Sequence, residues 1–270
     1  MMLEMEIKMI IDSHVHIFPD AIAERAISKL VQACYQTPNT NGTVSDTLRK
    51  IDEWGIDKIW ALGVSTNAKQ VHNVNAFLNS IRSERIEPLG SLYPYSENVM
   101  DDLKEIEDYG LKGIKLHPEY SKFNPADERI YPMYEEMEKA GLVCLFHAGY
   151  DVAFPGSYLA APKNIATVAK MFPKLKIVAA HLGGYESGDD IIDEEVGCSN
   201  IYVDTALMHM AHKPDHIKKL FDSFGPERIL FATDCPWSKP SVELDILNSL
   251  NIDSAKKELI LHKNAESLIK

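Results

Sequence analysis

Along most of this chain, short and nearly continuous apolar runs alternate with longer segments in which apolar residues recur at helical spacing. The apolar runs predict strands at 9–16, 58–64, 86–93, 112–117, 142–147, 176–181, 201–205 and 228–234. Between them lie predicted helices at 43–54, 67–83, 98–108, 130–139, 163–172, 189–196, 214–224 and 242–250. Ser45 is read as the N-cap of the first of these, with Gly55 as its stop. A helical pattern inside 18–34 and a polar loop over 36–42 read as an insertion after the first strand. Two helices, 254–262 and 264–269, finish the chain.

Runs apolar throughout, rather than alternating, are the mark of strands buried on both faces, as in a parallel sheet covered by helices. Eight strand–helix units favour a closed (β/α)8 barrel over an open sheet, and 270 residues suit one such domain. No linker, low-complexity tract or short-period repeat divides residues 1–270, so a single domain is expected.

Composition changes this picture little. A hydrophobic fraction of 45% supports a sizeable core. The net charge of −12 argues against nucleic acid or an anionic membrane as partner and leaves a small molecule as the expected one. Cys34, Cys144, Cys198 and Cys235 form no C-x-x-C pair and read as single buried thiols in a reducing compartment. Cys235 stands apart because it follows Asp234 at a strand end. The opening Met1-Met2-Leu3-Glu4-Met5-Glu6 has no apolar signal core, and no apolar run reaches 18 residues, so a cytoplasmic protein is expected.

The candidate chemistry gathers at one edge. His14 and His16, two apart on the first strand, point to the same side. His117, His147 and His181 end the fourth, fifth and sixth strands, and Asp234 ends the eighth. Five of ten histidines thus stand at C-terminal strand ends, where a barrel builds its active site. Neutral imidazole is a common metal ligand, so the grouping points to a metal centre. His72, His209, His212, His216 and His262 fall in helices or loops and read as solvated, as does the acidic run 189–195. Lys115 and His117 on the fourth strand, with Tyr150 and Trp237 on active-site-face loops, are candidates for substrate contact.

Four strings carry a resemblance: Ile11-Asp12-Ser13-His14-Val15-His16, Gly113-Ile114-Lys115-Leu116-His117-Pro118, Ala180-His181-Leu182-Gly183-Gly184 and Phe231-Ala232-Thr233-Asp234-Cys235-Pro236. They are similar to the amidohydrolase superfamily, in its amidohydrolase-related branch with aminocarboxymuconate-semialdehyde decarboxylase-like enzymes. The resemblance implies zinc held by His14, His16, His147 and Asp234, with Asp234 and His181 moving protons as catalytic groups. One zinc is the first expectation. Two metals are the alternative, because binuclear relatives use the position of His181 and a carboxylated lysine near Lys115. Manganese, iron or cobalt suit the same ligands. The implied activity is hydrolysis of a small amide, lactone or ester-like organic acid. Non-oxidative decarboxylation is the runner-up, set back because no arginine stands at a predicted strand end to grip a carboxylate. A non-catalytic scaffold is the remaining alternative, and the branch allows a homodimer.

Overall fold

A computed structural model describes residues 9–270; the expectation made for the opening residues lies outside them. Eight parallel strands form one sheet in chain order: β1 (Ile11–His16), β2 (Lys58–Leu62), β3 (Ile86–Ser91), β4 (Gly113–Leu116), β5 (Val143–Phe146), β6 (Lys176–Ala179), β7 (Ile201–Asp204) and β8 (Ile229–Leu230). The ring closes because Ser13 N–H donates to Phe231 O at 3.0 Å and His16 N–H to Cys235 O at 2.7 Å. The chain is a (β/α)8 barrel.

The first crossover contains α1 (Asp20–Cys34) and α2 (Val44–Glu53). The later ones carry α3 (Val71–Ser80), α4 (Val99–Asp108), α5 (Tyr131–Ala140), α6 (Pro162–Met171), α7 (Asp190–Glu194) and α8 (Pro214–Phe224). After β8 come α9 (Pro240–Ser249), α10 (Ser254–Glu258) and α11 (Asn264–Leu268). No helix among the described residues is long and apolar enough to cross a membrane.

Strand alternation divides the core in two. Trp60, Leu62, Val143, Leu145, Val178 and Ala180 pack together inside the barrel, where Ala265 and Leu268 of α11 join them. Their neighbours Ile59, Ala61, Cys144, Phe146, Ile177 and Ala179 face the helices instead. The same parity turns Lys115, His147 and Asp204 inward. On β1 the register slips between Asp12 and Val15, so Ile11 packs inside and yet His14 and His16 also face the interior.

Several boundaries differ from the sequence reading. Thr43, not Ser45, caps α2, its Oγ1 accepting from Asp46 N–H at 3.2 Å. The 67–83 segment opens with a 3-10 turn at Ala68–Gln70 before α3 begins. The 254–262 helix gives way to a π turn over Leu259–Lys263. Most telling is β8, whose ladder stops at Leu230. Beyond it Ala232 N–H donates to Thr205 Oγ1 (2.8 Å) and Thr233 N–H to Asp12 Oδ1 (3.0 Å), so side chains replace the ladder. That departure turns Asp234 over the barrel mouth with a left-handed backbone, φ 65°.

Several side-chain expectations are corrected, among them His216 and His262, which were read as solvated and are partly buried. Glu195 of the acidic run is fully buried with neither carboxylate oxygen partnered, and burial, then Glu194, pushes its carboxyl well above the usual range. His212 is buried rather than solvated, and its Nε2–H donates to His181 O at 2.8 Å. Among the thiols Cys144, Cys198 and Cys235 are buried, and Cys34 is only half-buried.

Candidate active site

Proton bookkeeping shows what the barrel mouth is built to hold. A carboxylate or carbonyl oxygen only accepts, so a ring nitrogen in hydrogen-bonding geometry with one must be the donor. His14 Nδ1–H therefore donates to Asp204 Oδ2 at 2.8 Å, and His16 Nδ1–H to Leu62 O at 3.3 Å. In the neutral form each ring is left with an Nε2 lone pair, and that of His14 accepts from Lys115 Nζ at 3.2 Å. Both lone pairs face Asp234 Oδ1, at 3.4 Å from His14 and 3.2 Å from His16. That oxygen is buried and has no hydrogen-bond partner. Three acceptors turned on one another attract a cation; Lys115 Nζ meets one of them, at His14, and two imidazoles with one carboxylate suit a divalent transition metal.

The electrostatics agree. Burial, then the Lys115 ammonium, pushes His14 down to about 4, so its imidazole is neutral at pH 7. Burial alone would raise the Asp234 carboxyl. Positive charge beside it, from His14 and His16 when their rings are protonated, outweighs that and holds it below its usual range, so the pocket favours a cation against this oxygen. Burial also lowers Lys115 to about 8; its Nζ sits 3.2 Å from His14 Nε2 on the barrel floor.

His147, expected beside His14 and His16, instead stands in a neighbouring group with His117 and Asp151. Its ring stacks on His117 at a centroid distance of 4.2 Å. His117 Nε2 lies 3.2 Å from Asp151 Oδ2. Burial first, then the surrounding cationic and imidazole groups, depresses both histidines well below their usual value. His181 Nδ1–H donates to Ala206 O (2.9 Å), which leaves its Nε2 lone pair 3.2 Å from His147 Nδ1. His147 Nε2 in turn faces Tyr150 O at 3.2 Å. A neutral His147 can satisfy only one of these two acceptors, so this side of the site also has room for a cation or a proton.

Loops hold these groups in place. Glu119 Oε1 accepts from Leu159 N–H and Ala160 N–H (2.8 and 3.1 Å) and so anchors the loop that carries Asp151. Gly149 must be glycine, with φ 85° and a Cβ position only 2.1 Å from Tyr185 N. Tyr150 stacks on Tyr158, and Tyr150 and Trp237 both line a cavity of about 840 Å³ whose floor is the histidine cluster.

Asp204 was missed by the sequence reading. It ends β7, fully buried, and binds three groups: His14 Nδ1–H through Oδ2, and His181 N–H (2.9 Å) and Ala206 N–H (3.1 Å) through Oδ1. Its signal was present, an acid closing the apolar run Ile201-Tyr202-Val203 just as Asp234 closes the eighth.

His212 supports the site from behind, and burial pushes it down to about 4. Its folded value lies below its unfolded one, so the fold loses stability as pH falls from about 6.5 toward 4. We expect wild type to lose on the order of 3 kcal/mol relative to His212→Gln over that window. Urea unfolding of both proteins at each pH checks this, and parallel curves would refute it.

Fold and site together define a metal-dependent barrel enzyme with candidate metal ligands at the C-terminal strand ends. The chain belongs to the amidohydrolase family, whose model, described as amidohydrolase, matches residues 11–270. Among curated proteins it is similar to the dihydroorotase of Helicobacter pylori strain P12, 22% identical over 217 residues, covering 77% of this chain and 56% of that protein. The chain spans about half the length of the curated relatives it matches. Among solved structures, an uncharacterized TIM-barrel protein of Bordetella bronchiseptica aligns with a TM-score of 0.80 at 22% identity, covering 96% of this chain and 97% of that one. A dihydroxybenzoic acid decarboxylase of Polaromonas sp. JS666, with bound manganese and 2-nitroresorcinol, aligns at a TM-score of 0.71 and 16% identity, covering 97% and 96%. At these identities the structural likeness establishes the shared fold.

Proposed function

We propose that this chain is a zinc-dependent hydrolase acting on a small amide, lactone or ester-like organic acid. The observation that carries the reading is the buried, unpartnered Asp234 Oδ1 facing the Nε2 atoms of His14 and His16. His14, His16 and Asp234 would hold the zinc ion, which would supply Lewis acidity toward a carbonyl and a water near neutral pH. Asp234 is placed to take the proton of the attacking water at a carboxylate oxygen and return it to the leaving group. His181 presents its Nε2 lone pair beside the same space, oriented by Ala206 O, and steadies the second proton transfer. Lys115, the cation on the floor, offsets negative charge developing on the substrate oxygen.

Hydrolysis is preferred to decarboxylation because, among the described residues, Lys29 and Lys115 are the only lysines lining the cavity and no arginine lines it. Decarboxylation gains support from Lys115, a buried ammonium beside the His14 ring, and from the decarboxylase among the structural relatives.

Metal removal tests the reading. Dialysed protein is expected to carry about one equivalent of zinc. Chelation should lower hydrolysis of model lactones and amides at least a hundredfold, with recovery on adding zinc back. Release of carbon dioxide from carboxylated aromatics, without lactone or amide hydrolysis, would move the assignment to the lyase. Full activity in metal-free protein would overturn both.

A further inference from the structure

The cavity has a wall that the chemistry of its floor does not use. Helix α1 carries two apolar stripes. Ala23 and Ile27 are buried in the fold. Ile22, Ala26, Leu30 and Ala33, spaced by four, four and three residues on one helical face, line the cavity instead. This second stripe is partly open to water, with Ile22 40% exposed and Ala26, Leu30 and Ala33 half-buried. Of six exposed large hydrophobic residues among those described, three line this one cavity: Ile22, Tyr150 and Val152. Val74 and Phe77 of α3 extend the apolar lining, and the cavity runs without interruption from this wall to His14, His16 and Asp234. Concentration of exposed apolar side chains at a concave, otherwise polar-floored site is the signature of a ligand surface rather than of random surface apolarity.

We propose that the α1 wall binds an apolar chain borne by the substrate, so the enzyme selects carbonyl compounds with a medium-length alkyl or arylalkyl body over short polar ones. Small Ala26 and Ala33 leave room for the chain, and Ile22 and Leu30 flank it. Only the position of the chain relative to the reacting carbonyl rests on the hydrolytic reading above. The wall itself does not depend on it.

The test measures binding of n-alkyl hydroxamates, from acetohydroxamate to decanohydroxamate, by calorimetry to zinc-loaded and to chelator-stripped protein. The slope of affinity against chain length reads the wall, and the fall on stripping reads the metal site. We expect affinity to rise roughly three- to fourfold per methylene, with a similar slope in both forms. In Ala26→Trp, and independently in Leu30→Gln, the ratio of octanohydroxamate to acetohydroxamate affinity should fall at least tenfold. A flat slope in wild type, or a slope that both variants keep, would overturn the inference even where zinc binding is intact. A steep slope with no change on stripping would uphold the wall and sink the metal assignment instead.

Discussion

Asp234→Asn is expected to lower turnover by roughly 10²–10⁴-fold, the range lost with a proton-transfer group, and to weaken metal binding at the same time. The substitution keeps the side-chain volume and removes the charge. It also adds an amide donor within reach of His14 Nε2 and His16 Nε2, the lone pairs that face Asp234 Oδ1 at 3.4 and 3.2 Å. The three-acceptor arrangement would then satisfy itself without a cation. The metal-free variant should therefore unfold at the same temperature as metal-free wild type or higher, while the gain on adding zinc shrinks. Metal content, initial rate and melting temperature, each with and without zinc, separate these effects. A variant that keeps its zinc and its rate would show that Asp234 is not part of the centre.

Asp204→Asn makes the second large prediction and acts through a proton position. Asp204 Oδ2 now obliges His14 to carry its hydrogen on Nδ1, which leaves Nε2 as the lone-pair nitrogen. An asparagine there can keep its carbonyl oxygen on the backbone N–H groups of His181 and Ala206, as Oδ1 does now. Its NH₂ would then face His14 Nδ1, donor against donor. The ring relieves this by moving its hydrogen to Nε2, the atom turned toward Asp234. We expect metal affinity to fall about 10–100-fold, as for other partners that orient a ligand, with the fold retained. Competition with a chelator of known affinity measures it. Nitrogen chemical shifts of the His14 ring report the tautomer, and an unshifted Nδ1–H would refute the mechanism whatever the affinity did.

The barrel was legible because its strands are apolar on both faces and each stops at a turn or a helix start, a pattern few other architectures produce. The histidine cargo was legible for a related reason: the fold places strand ends side by side, so residues far apart in sequence needed only to share that edge. What stayed hidden depended on local geometry. The slip on β1 between Asp12 and Val15 changes which faces Ile11 and His14 present, and nothing in Ile11-Asp12-Ser13-His14 announces it. The short β8 ladder could not be foreseen because Thr205 and Asp12, distant in sequence, take the hydrogen bonds that a ladder would use. Glu195 looked like one more charge on a solvated face, yet its Oε2 lies 2.6 Å from where a Cβ on Gly183 would stand, a tertiary contact without a sequence period. The second stripe of α1 was present in the sequence, but periodicity gives no sign of which apolar face meets the core and which meets a cavity.

The ring closure described above gives the centre a second character. His14 and His16 belong to the first strand and Asp234 follows the last, and the two are joined side by side where Val15 pairs with Cys235. This candidate ligand set therefore straddles the seam of the barrel, the one junction whose halves are separated by nearly the whole chain. Such a long-range contact forms late and is entropically dear. A cation gripping both sides would act as a buckle. Its binding energy would resist the parting of the first and last staves, so loss of the ion would expose this edge to hydrogen exchange before any other part of the ring.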